Sequence, residues 1–250
     1  MESTKIKIQK YFTDCGIMSR RAAELEIKNG KVLVNGEVAE IGIRVDPEVD
    51  VVTYLGKEIR PMSTQNVYVM LNKPRGIVTT MSDEKGRPTV AELVSDVGAR
   101  VYPVGRLDMD SDGLILLTND GNLANTLTHP RHDIPKIYRV TVEGKVSEEQ
   151  LSLLRSPLVI DEYEILPVKV DVISEEKDQT MLKMTLFEGR NRQIRKMCEI
   201  ADLKIKRLCR IAIGEVKLGE LRVGKWRFLT EDEVALLRGN NNKNEHKEKD

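Results

Sequence analysis

The order of apolar and polar positions divides the chain into two parts. Over residues 1–60 the apolar residues are sparse and locally periodic. In KIKIQKYFTDCG, Ile8, Phe12 and Cys15 recur at helical spacing and Gly16 ends the pattern. Ser19 then stands where an N-cap belongs, opening SRRAAELEIKNG, whose Ala23 and Ile27 share a face and whose Gly30 closes the last turn. Val32 and Val34 alternate into Asn35-Gly36, a hairpin signal, and further short strands are expected near DVVTYLGKEI. Arg60-Pro61-Met62-Ser63 and the polar residues up to Asn66 read as a connector, placed at 61–66.

From residue 67 strands predominate. VYVMLNKP, GIVTT, RVYPVGRLD, GLILLTN, KIYRVTVEG, EILPVKVDVIS and TMLKMTLFEG are expected as strands, and NLANTLTH, SEEQLSLLRS, NRQIRKMCEIADL and EDEVALLRG as helices. Strands with helices scattered among them predict an α+β fold with a mixed, mainly antiparallel sheet over 67–238. No internal repeat is visible. The tail GNNNKNEHKEKD carries no hydrophobic anchor and is expected to be disordered over 239–250.

Composition narrows the partners. Lys plus Arg and Asp plus Glu both number 40 in 250 residues, so any nucleic-acid surface must come from local clustering. One cluster stands out. Between Gly189 and Arg210 lie eight basic residues and two acidic ones, which predicts a phosphate track. The first 62 residues hold ten of each sign, so a binding face there must be one-sided. Aromatic residues make up only 4%, which argues against stacking on a long single strand and for recognition of a folded RNA by shape and backbone. Three cysteines without a CxxC pair suggest neither a disulfide framework nor a zinc site, and suit a reducing compartment. No secretion-like start and no apolar run near the roughly 20 residues of a membrane span are present, so a soluble, cytoplasmic protein without a membrane partner is expected. The absence of a heptad or apolar stripe favours a monomer.

The stretch VGRLDMDSDG poses the chemical question, with Asp108, Asp110 and Asp112 on alternate positions before Gly113. A calcium loop would match Asp, Asp, Asp and Gly at its first positions but requires a bidentate carboxylate at its last, where Asn119 stands. Strand-like flanks instead of helices argue the same way, so no metal site is assigned. A solvated turn is the plainer alternative.

The stretch gains meaning from other segments. GRLD followed by DG-LILLTNDG, Leu71-Asn72-Lys73-Pro74-Arg75-Gly76, Lys136-Ile137-Tyr138-Arg139-Val140 and EGRNRQIRKM at 188–197 resemble, in order, motifs of the RsuA/RluB/RluE/RluF family of rRNA pseudouridine synthases, and the EGRNRQIRKMCE wording is nearest the RluF branch. The SRRAAE…VNG pattern at the N-terminus resembles the S4 RNA-binding domain of these enzymes. The resemblance implies an S4-type domain over 1–60 and a catalytic domain over 67–238. It implies isomerisation of a uridine to pseudouridine in 23S ribosomal RNA, with no cofactor; in this branch a tRNA can be a target too, and the sequence does not decide between one substrate and two. It assigns the nucleophilic carboxylate to Asp108, its counter-charge to Arg195 and the active-site tyrosine to Tyr138. Arg106 is expected to fill the space left by the extruded uridine, pointing to the same face as Asp108 if both lie on a strand. Leu107 would then turn into the core. Ser19, Arg20, Arg21, Lys73, Arg190, Arg192 and Lys196 complete the expected RNA contacts, the first three at a helix N-terminus that favours phosphate. Lys73 with Pro74 is also expected to shape the floor of the site. A non-catalytic S4-type RNA-binding or ribosome assembly factor is the alternative from another class, and a two-carboxylate hydrolase ranks behind both.

Overall fold

The structure, a computed structural model, describes residues 5–61 and 65–239. The expected tail beyond Gly239 and part of the expected connector therefore fall outside the described residues. Two compact units divide at Gln65 and Asn66.

The N-terminal unit runs β1 (Ile6–Lys7), α1 (Ile8–Asp14), α2 (Arg20–Lys28), β2 (Val32–Val34), β3 (Glu37–Val38), β4 (Arg44–Val45), β5 (Val52–Tyr54) and β6 (Lys57–Ile59). Ile8, Phe12 and Cys15 from α1 and its end pack with Ala23 and Ile27 of α2 over Val32 and Val52, a core of small helical faces on a four-stranded sheet ordered β3-β2-β5-β6. Asn35 and Gly36, both at positive φ, make the tight turn between β2 and β3.

The second unit contains β7 (Tyr68–Lys73), α3 (Val90–Leu93), β8 (Tyr102–Val104), β9 (Asp112–Thr118), α4 (Gly121–Thr128), β10 (Lys136–Glu143), α5 (Glu148–Arg155), β11 (Val159–Ile160), β12 (Tyr163–Glu164), β13 (Lys169–Glu175), β14 (Gln179–Leu186), α6 (Gln193–Ile200), β15 (Ile205–Ile213), β16 (Val216–Lys217), β17 (Trp226–Phe228) and α7 (Glu231–Leu237). Its nine-stranded sheet runs β13-β14-β10-β15-β9-β7-β17, with β16 on β15 and β8 on β9. Every pairing is antiparallel except β15 with β9. The fold is α+β with an antiparallel-rich sheet.

Burial follows residue pattern strand by strand. All seven residues of β9 are buried, as a continuous apolar run at a sheet centre requires. Leu114 and Leu116 join Met70 in one core while Ile115 and Leu117 join Val69 and Leu71 in another, on the opposite face. In β14 buried and half-buried residues alternate, and the buried set packs with α5 and α6.

Three expectations need correction. GIVTT does not form a strand: only Val78 makes a bridge, to Thr89. RVYPVGRLD stops being a strand at Val104, because Gly105 turns the chain at φ +72° and the next residues bond to side chains instead of a neighbouring strand. The basic segment from Lys204 onward does not offer all of its charges as a phosphate track, although Lys204, Lys206 and Arg207 are exposed. It contains β15, a central strand, in which Arg210 is only 4% exposed and Arg207 is engaged with Asp112. Among the described residues, no helix is long and apolar enough to cross a membrane. Cys15, Cys198 and Cys209 are free and buried.

Candidate active site

The loop between β8 and β9 presents the aspartate row, and it is pinned from below. Leu107 is buried, and Thr79 holds its peptide from both sides: the Thr79 hydroxyl donates to the Leu107 carbonyl at 2.7 Å and accepts from the Leu107 N–H at 3.2 Å. The Ser111 N–H donates to the Asp108 carbonyl at 3.1 Å, and the Gly76 N–H to that of Met109 at 2.7 Å. Lys73, with no exposed surface, donates to the carbonyls of Ser111 at 2.8 Å and Pro74 at 2.9 Å. Burial pushes its pKa down to about 8, against the pull of Asp112, Asp108 and Asp110. Backbone carbonyls fixed in this way give Asp108 a defined position without a strand under it.

The three carboxylates do not converge. Asp108 lies half-buried, with Arg192 Nη1 at 3.4 Å and Arg195 Nε at 3.6 Å from Oδ2. That Nε is buried and makes no hydrogen bond. Arg195 Nη2 is meanwhile fixed at 3.1 Å by the Asp110 carbonyl, the Ser111 hydroxyl and the Asp110 carboxylate. Arg192 also reaches Asp110, at 3.4 Å. Asp112 turns away into the interior and pairs with Arg207 at 2.5 Å. The row is thus saturated by guanidinium groups, and among the described residues no cluster of His, Cys, Asp and Glu could hold a metal.

A cavity of about 230 Å³ opens beside Asp108, lined also by Arg106, Lys136, Tyr138, Gln193 and Arg210. Tyr138, on β10, is half-buried and packs against two cores. Arg106 is exposed at the rim, and shares the cavity with Asp108 through a loop instead of the expected strand. Arg190, also on the rim, lies 3.0 Å over the Tyr163 ring and pairs with Glu188. Lys196 is ion-paired with Asp161. Lys73 leaves the set of expected RNA contacts, since a lysine without exposed surface cannot meet a phosphate; its place is under the loop. In the N-terminal unit, Ser19 caps α2 by accepting from the Ala22 N–H, beside the exposed Arg20 and Arg21.

Comparison with known proteins identifies the family. A family model described as RNA pseudouridylate synthase matches residues 67–200. The chain belongs to the RNA pseudouridine synthase family. Ribosomal large subunit pseudouridine synthase B of Bacillus subtilis is 38% identical over 93% of this chain and 95% of its own. The dual-specificity RNA pseudouridine synthase RluF of Escherichia coli, from the branch suggested by the EGRNRQIRKMCE wording, is also 38% identical, over 95% of this chain and 80% of its own. A crystal structure of a pseudouridylate synthase superposes with a TM-score of 0.68 at 27% identity, covering 93% of this chain and 99% of that one.

Some residues of this candidate site were not singled out from sequence, or not in the place they take. Thr79, which fixes Leu107, lies in a segment that reads as a strand. Gln193 is buried, accepts from the Arg190 N–H and donates to Glu188, bracing the turn that carries Arg190 and Arg192. Arg192 itself, expected only on RNA, sits at φ +51° as the residue before α6 and faces Asp108. A non-glycine at positive φ inside a motif has a structural role that only the backbone reveals.

Proposed function

We propose that the protein converts a uridine of large-subunit ribosomal RNA to pseudouridine, with Asp108 as nucleophile. The observation that carries this reading is the meeting of Asp108, Tyr138 and Arg106 at one cavity, with Arg195 held against Asp108. A guanidinium held against the carboxylate supplies its counter-charge and aims it. The Tyr138 hydroxyl makes no hydrogen bond among the described residues, which leaves its oxygen to a proton of the nucleotide and its ring to the face of a base. Arg106, exposed and planar, suits the gap that an extruded nucleotide leaves in its helix. Bond exchange of this kind needs no cofactor.

The choice of large-subunit RNA follows the name of the Bacillus relative, and the dual specificity of the Escherichia relative makes a tRNA the second class to test. In this reading residues 1–60 act as an S4-type RNA-binding domain that offers Ser19, Arg20 and Arg21 to phosphate, residues 61–66 link, and 67–238 catalyse. Arg190, Arg192 and Lys196 meet the RNA backbone at the rim. The enzyme works as a cytoplasmic monomer.

The test is tritium release to water from unmodified 23S rRNA labelled at uridine C5. Release by the wild type but not by Asp108→Asn, with RNA affinity kept within a few fold, is the expected result. No release by the wild type from rRNA, ribosomal particles or tRNA would overturn the reading.

A further inference from the structure

The cavity beside Asp108 is also lined by two cations that make no ion pair among the described residues. Arg210 stands across from Tyr138 in the β10–β15 pairing, and Lys136 across from Ile213; all four line the cavity. Arg210 is 4% exposed, its Nε donates to the Leu114 carbonyl at 2.7 Å, and its Nη2 is buried with no partner. Lys136 is half-buried. Neither makes an ion pair among the described residues, whereas Arg192, Arg195 and Arg207 nearby all do. Burial and the charge of Arg210 both push the Lys136 pKa down, with only the exposed Asp133 pulling it back.

A buried guanidinium with an unused donor is costly, and so is a second cation beside it. Such a pair is explained if a ligand brings negative charge to it. The position of the pair selects the ligand. Phosphates stay on the RNA backbone, where the exposed Arg106, Arg190 and Arg192 ring the mouth. A flipped nucleotide enters base first, and the inner walls are Val104, Leu127, Leu208 and Ile213 around Tyr138, a lining for a flat ring.

We propose that Lys136 and Arg210 receive the two carbonyl oxygens of the flipped uracil and stabilise the negative charge it carries while detached from the ribose. This rests on the pseudouridine reading above. An Asp108 carboxylate oxygen bonds to C1′ as the C1′–N1 bond breaks, and the electron pair leaves with the ring, spread onto O2 and O4. A half-turn about the N3–C6 axis exchanges N1 with C5 and O2 with O4. Two cations, one for each carbonyl, therefore meet an equivalent oxygen before and after the turn. C5 then bonds to C1′, the ester bond to Asp108 breaks to return its carboxylate, the C5 proton leaves, and N1 takes up one. The stabilised charge exists only during reaction, so the pair acts on rate and not on ground-state affinity.

Two measurements test this. In single-turnover pseudouridine formation on the 23S transcript, Lys136→Met and Arg210→Lys are expected to slow the chemical step by about a hundredfold each, with RNA Kd within about twofold of wild type. The lysine variant matters most, because its half-buried site tolerates an isosteric apolar chain whereas Arg210 is only 4% exposed. An unchanged rate overturns the proposal, and so does weaker RNA binding with a normal rate at saturation, which would make the pair a phosphate site. The second measurement needs no substrate RNA, so it separates failure of this proposal from failure of the pseudouridine reading. 5-Nitrouracil, an anion at neutral pH, is expected to bind the wild type at least about tenfold tighter than neutral uracil, and the Lys136→Met variant without that preference. Absence of the preference in the wild type, or its persistence in the variant, overturns the proposal.

Discussion

The two walls of the cavity handle charge in opposite ways. On the loop side, Asp108 and Asp110 share Arg192 and Arg195, and every terminal nitrogen of Arg195 that faces them is used. On the strand side, Lys136 and Arg210 make no ion pair among the described residues, and Lys136 feels only the exposed Asp133. The loop wall is complete by itself: its hydrogen bonds fix where an acid stands. The strand wall is rigid, being built on β10 and β15, but electrostatically open. A protein with equal numbers of acids and bases has thus distributed them unevenly around one cavity, and the asymmetry marks which side acts and which side receives.

Removing Arg195 is the most severe way to break the loop wall. Arg195→Ala leaves Asp108 facing only Arg192, and releases the Asp110 carbonyl and Ser111 hydroxyl together. We expect kcat/KM to fall about a thousandfold, the scale of breaking a half-buried charge pair. Arg195→Lys should recover only part, because an ammonium cannot hold three acceptors in one plane. Arg192→Ala should cost about tenfold, since the Arg192 side chain is 44% exposed against 17% for Arg195. Equal losses at the two positions would show that the walls are not organised by burial.

The junction between the walls is tested by Gly113. Its φ is +108°, and a Cβ there would stand 2.3 Å from the Arg210 carbonyl oxygen and 2.7 Å from its nitrogen. The parallel contact of β9 with β15 depends on that missing atom. Gly113→Ala is expected to destabilise the fold by about 3 kcal/mol, read from urea unfolding. A loss below about 1 kcal/mol would mean that the strands part easily.

Lys73 supports the loop wall from beneath, and its effect depends on pH. Its pKa is near 8 in the fold and 10.5 when free. Below about 8 both states are charged and the fold bears the full cost of the buried ammonium. Between about 8 and 10.5 the native state gives up its proton first, so the unfolded state holds more protons and stability rises with pH. The neutral amine keeps two N–H donors, enough for the Ser111 and Pro74 carbonyls. The stability of wild type relative to Lys73→Met should therefore increase by about 2 to 3 kcal/mol across that interval. A flat difference would place the ammonium in contact with water.

These tests also separate what was legible in the sequence from what was not. Leu107 between two polar residues reads at once as an anchor, and β9 as a buried strand, because apolar runs have one physical outcome. IKRLCRIAI reads as a basic surface segment, since cations are rarely buried, yet it forms the strand that carries Arg210 under the cavity. The difference lies in partners distant in sequence. Whether Arg210 is exposed depends on Leu114, and whether Asp112 is available depends on Arg207, relations that no local pattern contains. The motif order located Asp108 and Tyr138, but the strand assumed to align Arg106 with Asp108 is a loop pinned by Thr79 and Lys73. Spacing gave the right neighbours for a reason the structure does not share.

Asp110 carries the smallest expected effect and the sharpest question about the loop wall. Its side chain is 39% exposed and touches both Arg192 and Arg195, so by distance alone it looks as important as Asp108. Its carbonyl, however, holds Arg195 Nη2 at 3.1 Å, and the Ser111 hydroxyl holds the same nitrogen at 3.1 Å. Both contacts survive replacement of the carboxylate. Asp110→Asn should then remove only an exposed ion pair, worth about 0.5 kcal/mol, and lower kcat/KM by no more than about threefold. Asp108→Asn on the same loop should abolish turnover, so the two isosteric changes two residues apart differ because one oxygen reacts and the other only screens. A loss of more than about tenfold at Asp110, with normal thermal stability, would show that the arginines are placed by side-chain charge instead of by the backbone of the loop.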